Sequence, residues 1–230
     1  AMISFTGSTR AGILITKNAA ETLKRVSLEL GGKGANLVFA DAHEKAVQQG
    51  VMRCMNNTGQ SCNAPTRMLV ERPRYAQAVE QAAEFANGLS VNSSHESGKH
   101  IGPVVSEAQF DKIQNLIQIG IDEGAKLVAG GLGRPDGLNR GYFVRPTVFA
   151  DVRNDMRIAQ EEIFGPVLSM MPFDTEEDAI AIANDTPYGL TNYVQTTDMD
   201  KARRVARRLR TGMVDMNGKA RAGGSPFGGM

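Results

Sequence analysis

The sequence predicts an α/β fold with a largely parallel sheet, and three observations carry the prediction. Short strand-like runs alternate with helical runs along the whole chain. Ser, Thr or Asp residues cap the starts of several helical runs, and glycines stop several ends. Hydrophobic residues make up 41% and charged residues 22% of the 230 positions, a composition that builds a packed core and argues against disorder.

The first strand covers residues 2–5 and meets Thr6-Gly7-Ser8-Thr9 just as a helix begins. Residues 26–30 and 36–40 are the next strands, separated by Gly31-Gly32-Lys33-Gly34. Asp41 and Glu44 have capping-box spacing and open a helix with the apolar face Val47, Val51, Cys54 and Met55, ended by Gly59. Residues 66–70 form a strand. Pro73 takes the first position of a helix whose stripe is Tyr75, Val79, Ala82, Ala83 and Ala86, stopped at Gly88.

After a polar loop over 90–103, Ser106 and Gln109 form another capping box. It leads a helix that buries Phe110, Ile113, Leu116 and Ile117. Residues 126–129 are a short strand. Residues 142–149 read as a strand broken by Pro146, which places it at a sheet edge because proline has no ladder N–H. Residues 166–173 form a strand, Thr175 caps a helix to about Asn184, and 190–195 is a strand. Asp198 then caps a helix to Arg210, Gly212 stops it, and 213–216 is the last strand.

Lys plus Arg is 26 and Asp plus Glu is 25, a net charge of +1, which excludes one strongly charged partner surface over the whole molecule. No apolar run approaches the roughly 20 residues of a membrane span, and the N-terminus lacks signal-peptide order. Two cysteines make no disulfide framework, so the expected setting is the cytosol with both thiols reduced. A strand starts almost at residue 1 and the chain stops in a Gly-rich loop at Met230; the expectation is a piece of something longer.

The two cysteines differ in context. Cys54 lies on an apolar helix face and reads as a small buried hydrophobe. Cys62 lies in Gly59-Gln60-Ser61-Cys62-Asn63-Ala64-Pro65, a polar, turn-rich stretch where a substrate can reach a thiol. A nucleophilic thiol needs an oxyanion stabiliser, and the backbone N–H of the nucleophile is a common one. His43, His95 and His100 have no spacing that makes a Cys–His dyad and read as surface residues. Glu29 is the alternative base: it sits in an apolar strand before two glycines, at a strand's C-terminal end, where α/β proteins place ligands.

Gly7-Ser8-Thr9 follows a strand and opens a helix, so its N–H groups and hydroxyl suit a phosphate, although a plain N-cap also explains it. There is no G-x-G-x-x-G and no G-x-x-x-x-G-K-[ST], and no His/Cys/Asp cluster has metal-ligand spacing. Residues 201–210 carry six positive charges over Ala202, Val205, Ala206 and Leu209. Without interleaved aromatics this reads as a solvated helix face rather than a nucleic-acid site.

In order along the chain stand Phe5-Thr6-Gly7-Ser8-Thr9, Leu28-Glu29-Leu30-Gly31-Gly32-Lys33 and, 33 residues after Glu29, Gly59-Gln60-Ser61-Cys62. Glu161-Glu162-Ile163-Phe164-Gly165-Pro166-Val167, Tyr188-Gly189-Leu190, Gly212-Met213-Val214-Asp215-Met216-Asn217 and Pro226-Phe227-Gly228-Gly229 follow. Together these resemble the aldehyde dehydrogenase superfamily from end to end.

The resemblance implies a three-layer αβα catalytic domain with a mostly parallel sheet, lacking most of the cofactor-binding domain. Residues 1–30 would be the tail of that domain, and 31–230 the Cys-bearing catalytic domain, incomplete at its C-terminus. It implies oxidation of an aldehyde to an acid with NAD or NADP. Cys62 would form a thiohemiacetal and then a thioester, and Glu29 would activate the hydrolytic water. Glu29 favours water over coenzyme A as acyl acceptor. Gly7 and Ser8 match positions at the cofactor diphosphate, Glu162 the carboxylate on the nicotinamide ribose, and Phe164 the side chain beside the ring. Gln109 and Lys112 lie in a helix that can approach the same ribose. The implied partners are an aldehyde and further copies in a homodimer or homotetramer, with no nucleic acid, membrane or metal. This chain alone is expected to be inactive, the alternatives being a thiol-dependent esterase or a non-catalytic domain.

Overall fold

The computed structural model describes residues 1–219 and 223–230. Strands β1 (Met2–Thr6) and β2 (Arg25–Glu29) pair in parallel as a small sheet, joined by helix α1 (Thr9–Ala20). The larger sheet holds β3 (Ala35–Val38), β4 (Arg67–Glu71), β5 (Lys126–Ala129), β6 (Thr147–Ala150), β7 (Val167–Phe173), β8 (Thr191–Gln195) and β9 (Met213–Met216). Their order is β5-β6-β7-β4-β3-β8-β9, and every pair is parallel except β5 with β6.

The two faces of the large sheet bury two separate cores, because successive strand side chains point to opposite faces. Val38, Met68, Val70, Val148 and Met170 pack under α2 (Ala46–Met55) and α3 (Arg72–Asn87). Leu37, Leu69, Phe149 and Met171 pack under α4 (Glu107–Asp122), α5 (Arg157–Gln160), α6 (Glu176–Asn184) and α7 (Met199–Ala206). The protein is therefore α/β, with helices on both faces of a mostly parallel sheet. No helix among the described residues is long and apolar enough to cross a membrane.

Several local readings change. The Asp41–Glu44 capping box does not form. Helix α2 starts at Ala46 without a side-chain cap, and Asp41 instead accepts from the Thr196 and Thr197 hydroxyls and from the Thr197 and Asp198 N–H groups. Burial pushes its carboxyl up, but the Thr196 and Thr197 hydroxyls, the Lys201 ammonium and the Asp198 N–H together hold it down to about 2. Residues 142–149 are not an edge strand: β6 covers Thr147–Ala150 between β5 and β7, and the missing N–H of Pro146 falls outside the ladder. The antiparallel β5 takes the edge. Arg72 rather than Pro73 is the first residue of α3, and α7 stops at Ala206, four residues before Arg210.

The Ser106–Gln109 box is half-made. Ser106 accepts from the Gln109 N–H, but the Gln109 side chain reaches a neighbouring loop. Helix α5 has no counterpart in the sequence reading. The Arg-rich stretch is the solvated face expected: Ala202, Val205 and Leu209 are buried, while Arg204 and Arg208 pair with Glu176 and Glu177 of α6.

Candidate active site

Four chain segments converge between the two sheets. From the small sheet come the C-terminal ends of β1 and β2; from the large sheet come the segments just before β3, β4 and β7. The site thus faces the C-terminal ends of one parallel pair and the N-terminal ends of the other sheet.

The first segment is the turn from β1 into α1. The Gly7 N–H donates to the Glu29 carbonyl at 3.0 Å, tying the two strand ends together. Ser8 caps α1 by accepting from the Ala11 N–H at 3.3 Å. The N-terminal N–H groups of α1 therefore open towards the cleft that Gly7 and Ser8 line.

The second segment is Glu29-Leu30-Gly31-Gly32, where β2 passes into the large sheet. Both glycines are required by close approach. A Cβ on Gly31 would stand 2.3 Å from a Glu162 carboxylate oxygen, and one on Gly32 would stand 2.1 Å from the Cys62 carbonyl oxygen. Gly32→Ala is expected to push the Cys62 backbone aside and lower kcat/KM by about 100-fold, the effect of misplacing a reacting group by ~1 Å. Steady-state kinetics of the variant, with its Tm as a folding control, check this.

The third segment carries Cys62. Helix α2 ends at Met55 and breaks into a turn in which Asn57, Thr58 and Gly59 all have positive φ. The turn is held by Thr58 Oγ1 donating to the Gly102 carbonyl at 3.1 Å and by Gln60 Oε1 accepting from the Val105 N–H at 3.0 Å. Beyond it, Tyr193 donates from its hydroxyl to the Asn63 carbonyl at 2.7 Å. Cys62 is half-buried, whereas Cys54 is fully buried on α2.

The fourth segment is Glu162–Phe164, clamped by the first turns of α4. Lys112 Nζ donates to the Glu162 carbonyl at 2.7 Å. Gln109 Nε2 donates to the Ile163 and Phe164 carbonyls at 2.9 and 2.8 Å. Phe164 has a φ of 57°, a conformation unfavourable for a bulky residue, and these bonds offset the strain. The Gly32 N–H donates to Glu162 Oε1 at 2.9 Å.

These segments enclose a cleft of about 510 Å³ that Gly7, Ser8, Cys62, Gln109, Lys112, Glu162 and Phe164 all line. Glu29 lines an adjoining cleft of about 380 Å³, and Leu30 and Gly31 line both clefts. Glu29 is half-buried, more open than a carboxyl inside an apolar strand. A further cleft of about 580 Å³ runs along β9 and includes Asn63 but not Cys62. The Cys62 thiol stands in the cleft of about 510 Å³.

Burial pushes the Cys62 thiol above its usual range; the carboxylates of Glu162 and Glu29 add to this, and the N–H groups of Cys62 and Asn63 oppose it. Burial also raises the Glu162 carboxyl, offset by the Gly32 N–H, Lys112 and Lys33. Burial, opposed by Lys33, drives Cys54 up to about 12, so it stays a thiol. The sequence reading passed over Tyr188, which lines the Glu29 cleft. The Tyr188-Gly189-Leu190 motif was visible, but nothing local tied it to Glu29.

The cleft thus brings a half-buried cysteine, the N-terminus of α1 and the Glu162–Phe164 loop together on an α/β frame. The chain belongs to the aldehyde dehydrogenase family: that family's model matches residues 1–230. It is similar to a 3-succinoylsemialdehyde-pyridine dehydrogenase from Pseudomonas, 52% identical over 99% of this chain and 48% of the relative. An aldehyde dehydrogenase structure from Bartonella henselae superposes with a TM-score of 0.99 at 63% identity, covering all of this chain and 48% of that one. A cysteine-to-alanine variant of a Pseudomonas syringae aldehyde dehydrogenase, in complex with NAD+ and octanal, superposes at 0.97 with 50% identity, covering 100% and 47%. The chain spans about half the length of the curated relatives it matches.

Proposed function

We propose that the protein containing this chain oxidises an aldehyde to a carboxylic acid with NAD or NADP. The observation that carries the reading is one cleft uniting the Cys62 thiol, the α1 N-terminus and the Glu162–Phe164 loop, with Glu29 in the adjoining cleft that shares Leu30 and Gly31.

The residues present suit a nicotinamide dinucleotide. Gly7 and Ser8 offer a helix N-terminus to a diphosphate. Glu162 offers a half-buried carboxylate to ribose hydroxyls, and Phe164 an aromatic side chain at the cleft's edge. When bound, the nicotinamide supplies the two-electron acceptor. The chain supplies the rest. The Cys62 sulfur bonds to the aldehyde carbon, giving a thiohemiacetal whose oxyanion the Cys62 N–H stabilises. Oxidation leaves a thioester on Cys62. Glu29 takes a proton from water, the hydroxide adds to the thioester carbon, and the acid departs as Cys62 is released.

The attacking form is the thiolate, whose share near neutrality burial and the Glu162 and Glu29 carboxylates keep small, so the thiol proton passes to solvent before the sulfur attacks. In this reading residues 1–30 end a cofactor-binding domain and 31–230 belong to the catalytic domain, in keeping with the separate two-stranded and seven-stranded sheets. The expected result is formation of NADH or NADPH by the full-length protein across an aldehyde panel, blocked by alkylation of Cys62. Aldehyde-independent signal, or none with any aldehyde and either cofactor from folded protein, refutes the proposal.

A further inference from the structure

The turn that carries Cys62 is anchored by a residue that does not line the Cys62 cleft. The Ala64 N–H donates to the Ser61 carbonyl at 3.0 Å, closing a four-residue turn with Cys62 and Asn63 at its centre. Two contacts fix that turn on the body of the domain. The Cys62 carbonyl lies against Gly32, where a Cβ would stand 2.1 Å away. The Asn63 carbonyl accepts from the Tyr193 hydroxyl at 2.7 Å. Tyr193 is 6% exposed and stands on β8, so this donor comes from the large sheet and not from another loop.

The Tyr193 ring is itself clamped. Tyr193 pairs with Asp215 across β8 and β9, so both side chains stand on one face of the sheet. Arg53 of α2 reaches that face. Its guanidinium carbon lies 5.4 Å from the centre of the Tyr193 ring, and its nitrogens donate to Asp215 Oδ2 at 3.1 Å and to the Gly218 carbonyl at 3.3 Å. Arg53, Ser61, Asn63, Tyr193 and Asp215 border a cleft of about 230 Å³. With open space on that side, close packing alone does not fix the turn.

We infer that Tyr193 is a positioning residue for the nucleophile: its hydroxyl anchors the Ser61–Ala64 turn and so holds the Cys62 sulfur and the Cys62 N–H in their working places. This rests on the thioester reading above and adds a residue that acts through the Asn63 carbonyl. The effect is electrostatic as well as geometric. The N–H groups of Cys62 and Asn63 favour the thiolate, against burial and against the Glu162 and Glu29 carboxylates. On a loosened turn those N–H groups favour it less, and the thiol titrates at higher pH. The oxyanion donor drifts with them.

Tyr193→Phe in the full-length protein tests this, because it removes the hydroxyl and keeps the ring under Arg53. The kcat/KM for aldehyde is expected to fall about tenfold, roughly the weight of one hydrogen bond. The factor should be the same for every aldehyde tested, and KM for NAD+ should stay unchanged. The rate of Cys62 alkylation against pH, read without substrate, should move up by about half a unit, or roughly threefold in rate at a fixed pH. An unchanged kcat/KM or an unchanged alkylation profile overturns the inference, whatever the Tm does. A loss that differs widely between aldehydes overturns it in favour of direct contact with substrate. Alkylation needs no turnover, so it reads Tyr193 even where the wild-type protein reduces no cofactor, the separate outcome that refutes the thioester reading. Should Tyr193→Phe not fold, Arg53→Met keeps the hydroxyl and frees the ring. It should move the alkylation profile the same way by a smaller step, and no movement then overturns the inference.

Discussion

Cys62→Ala in the full-length protein is expected to lower turnover on the order of 10⁴-fold or more, because the proposed acyl intermediate is carried on the Cys62 sulfur. Cys54→Ala is expected to keep normal turnover and to lose only about 1 kcal/mol of stability, the usual scale for truncating a small buried side chain. The difference follows from burial: Cys62 is half-buried in a cleft, while Cys54 has no exposure and only a weak contact from its Sγ to the Val167 carbonyl at 3.7 Å. Alkylation gives an independent reading. The thiolate is the reactive form, and burial and two carboxylates hold the Cys62 pKa high. Its alkylation should be slower at neutral pH than that of an ordinary thiol and should accelerate as pH rises, while Cys54 stays unmodified in folded protein. Equal loss of turnover from both alanine variants would refute the division of roles.

Glu29→Gln is expected to leave the first burst of reduced cofactor intact and to slow the steady state about 10²–10⁴-fold, the usual weight of a general base. Glutamine keeps the size and removes the basic oxygen. The burst survives because, in the proposed reaction, carbon–sulfur bond formation and oxidation use the Cys62 sulfur and not the Glu29 carboxylate. Acyl release fails because hydrolysis needs the carboxylate. The Cys62 thiol also feels Glu29 as a like charge, so the same variant should shift Cys62 alkylation to lower pH. Rapid-mixing kinetics that show a normal steady-state rate would exclude Glu29 as the base for deacylation.

Much of the frame is legible in the sequence because short-range rules set it. The Thr175 cap with its Asp178 partner is local and forms as a full box, since every atom involved lies within one helical turn. The apolar run before Phe173 becomes β7, and Gly88 closes α3 where the stripe ends. The misreadings share one cause. Asp41 matches a capping pattern, yet its partners lie about 155 positions away at Thr196, and four donors there outweigh a single local cap. Pro146 suggests an edge, yet one residue of offset leaves the ladder of β6 intact. Gln109 fits a capping box, yet its amide meets two carbonyls 54 and 55 positions away.

The candidate site divides in the same way. Cys62 and Glu29 stand out in the sequence because each is chemically out of place in its surroundings: a thiol in a polar turn, a carboxylate in an apolar strand. Periodicity, caps and glycine stops determined the α/β class, since steric and hydrogen-bonding rules act within a few residues. Only tertiary structure decided that the C-terminal ends of the small sheet face the N-terminal ends of the large one, and that Gly32 packs on the Cys62 carbonyl. It alone buried Lys33 with no hydrogen bond to its ammonium among the described residues. Those outcomes depend on close packing and desolvation between segments far apart in the chain, which no local pattern encodes.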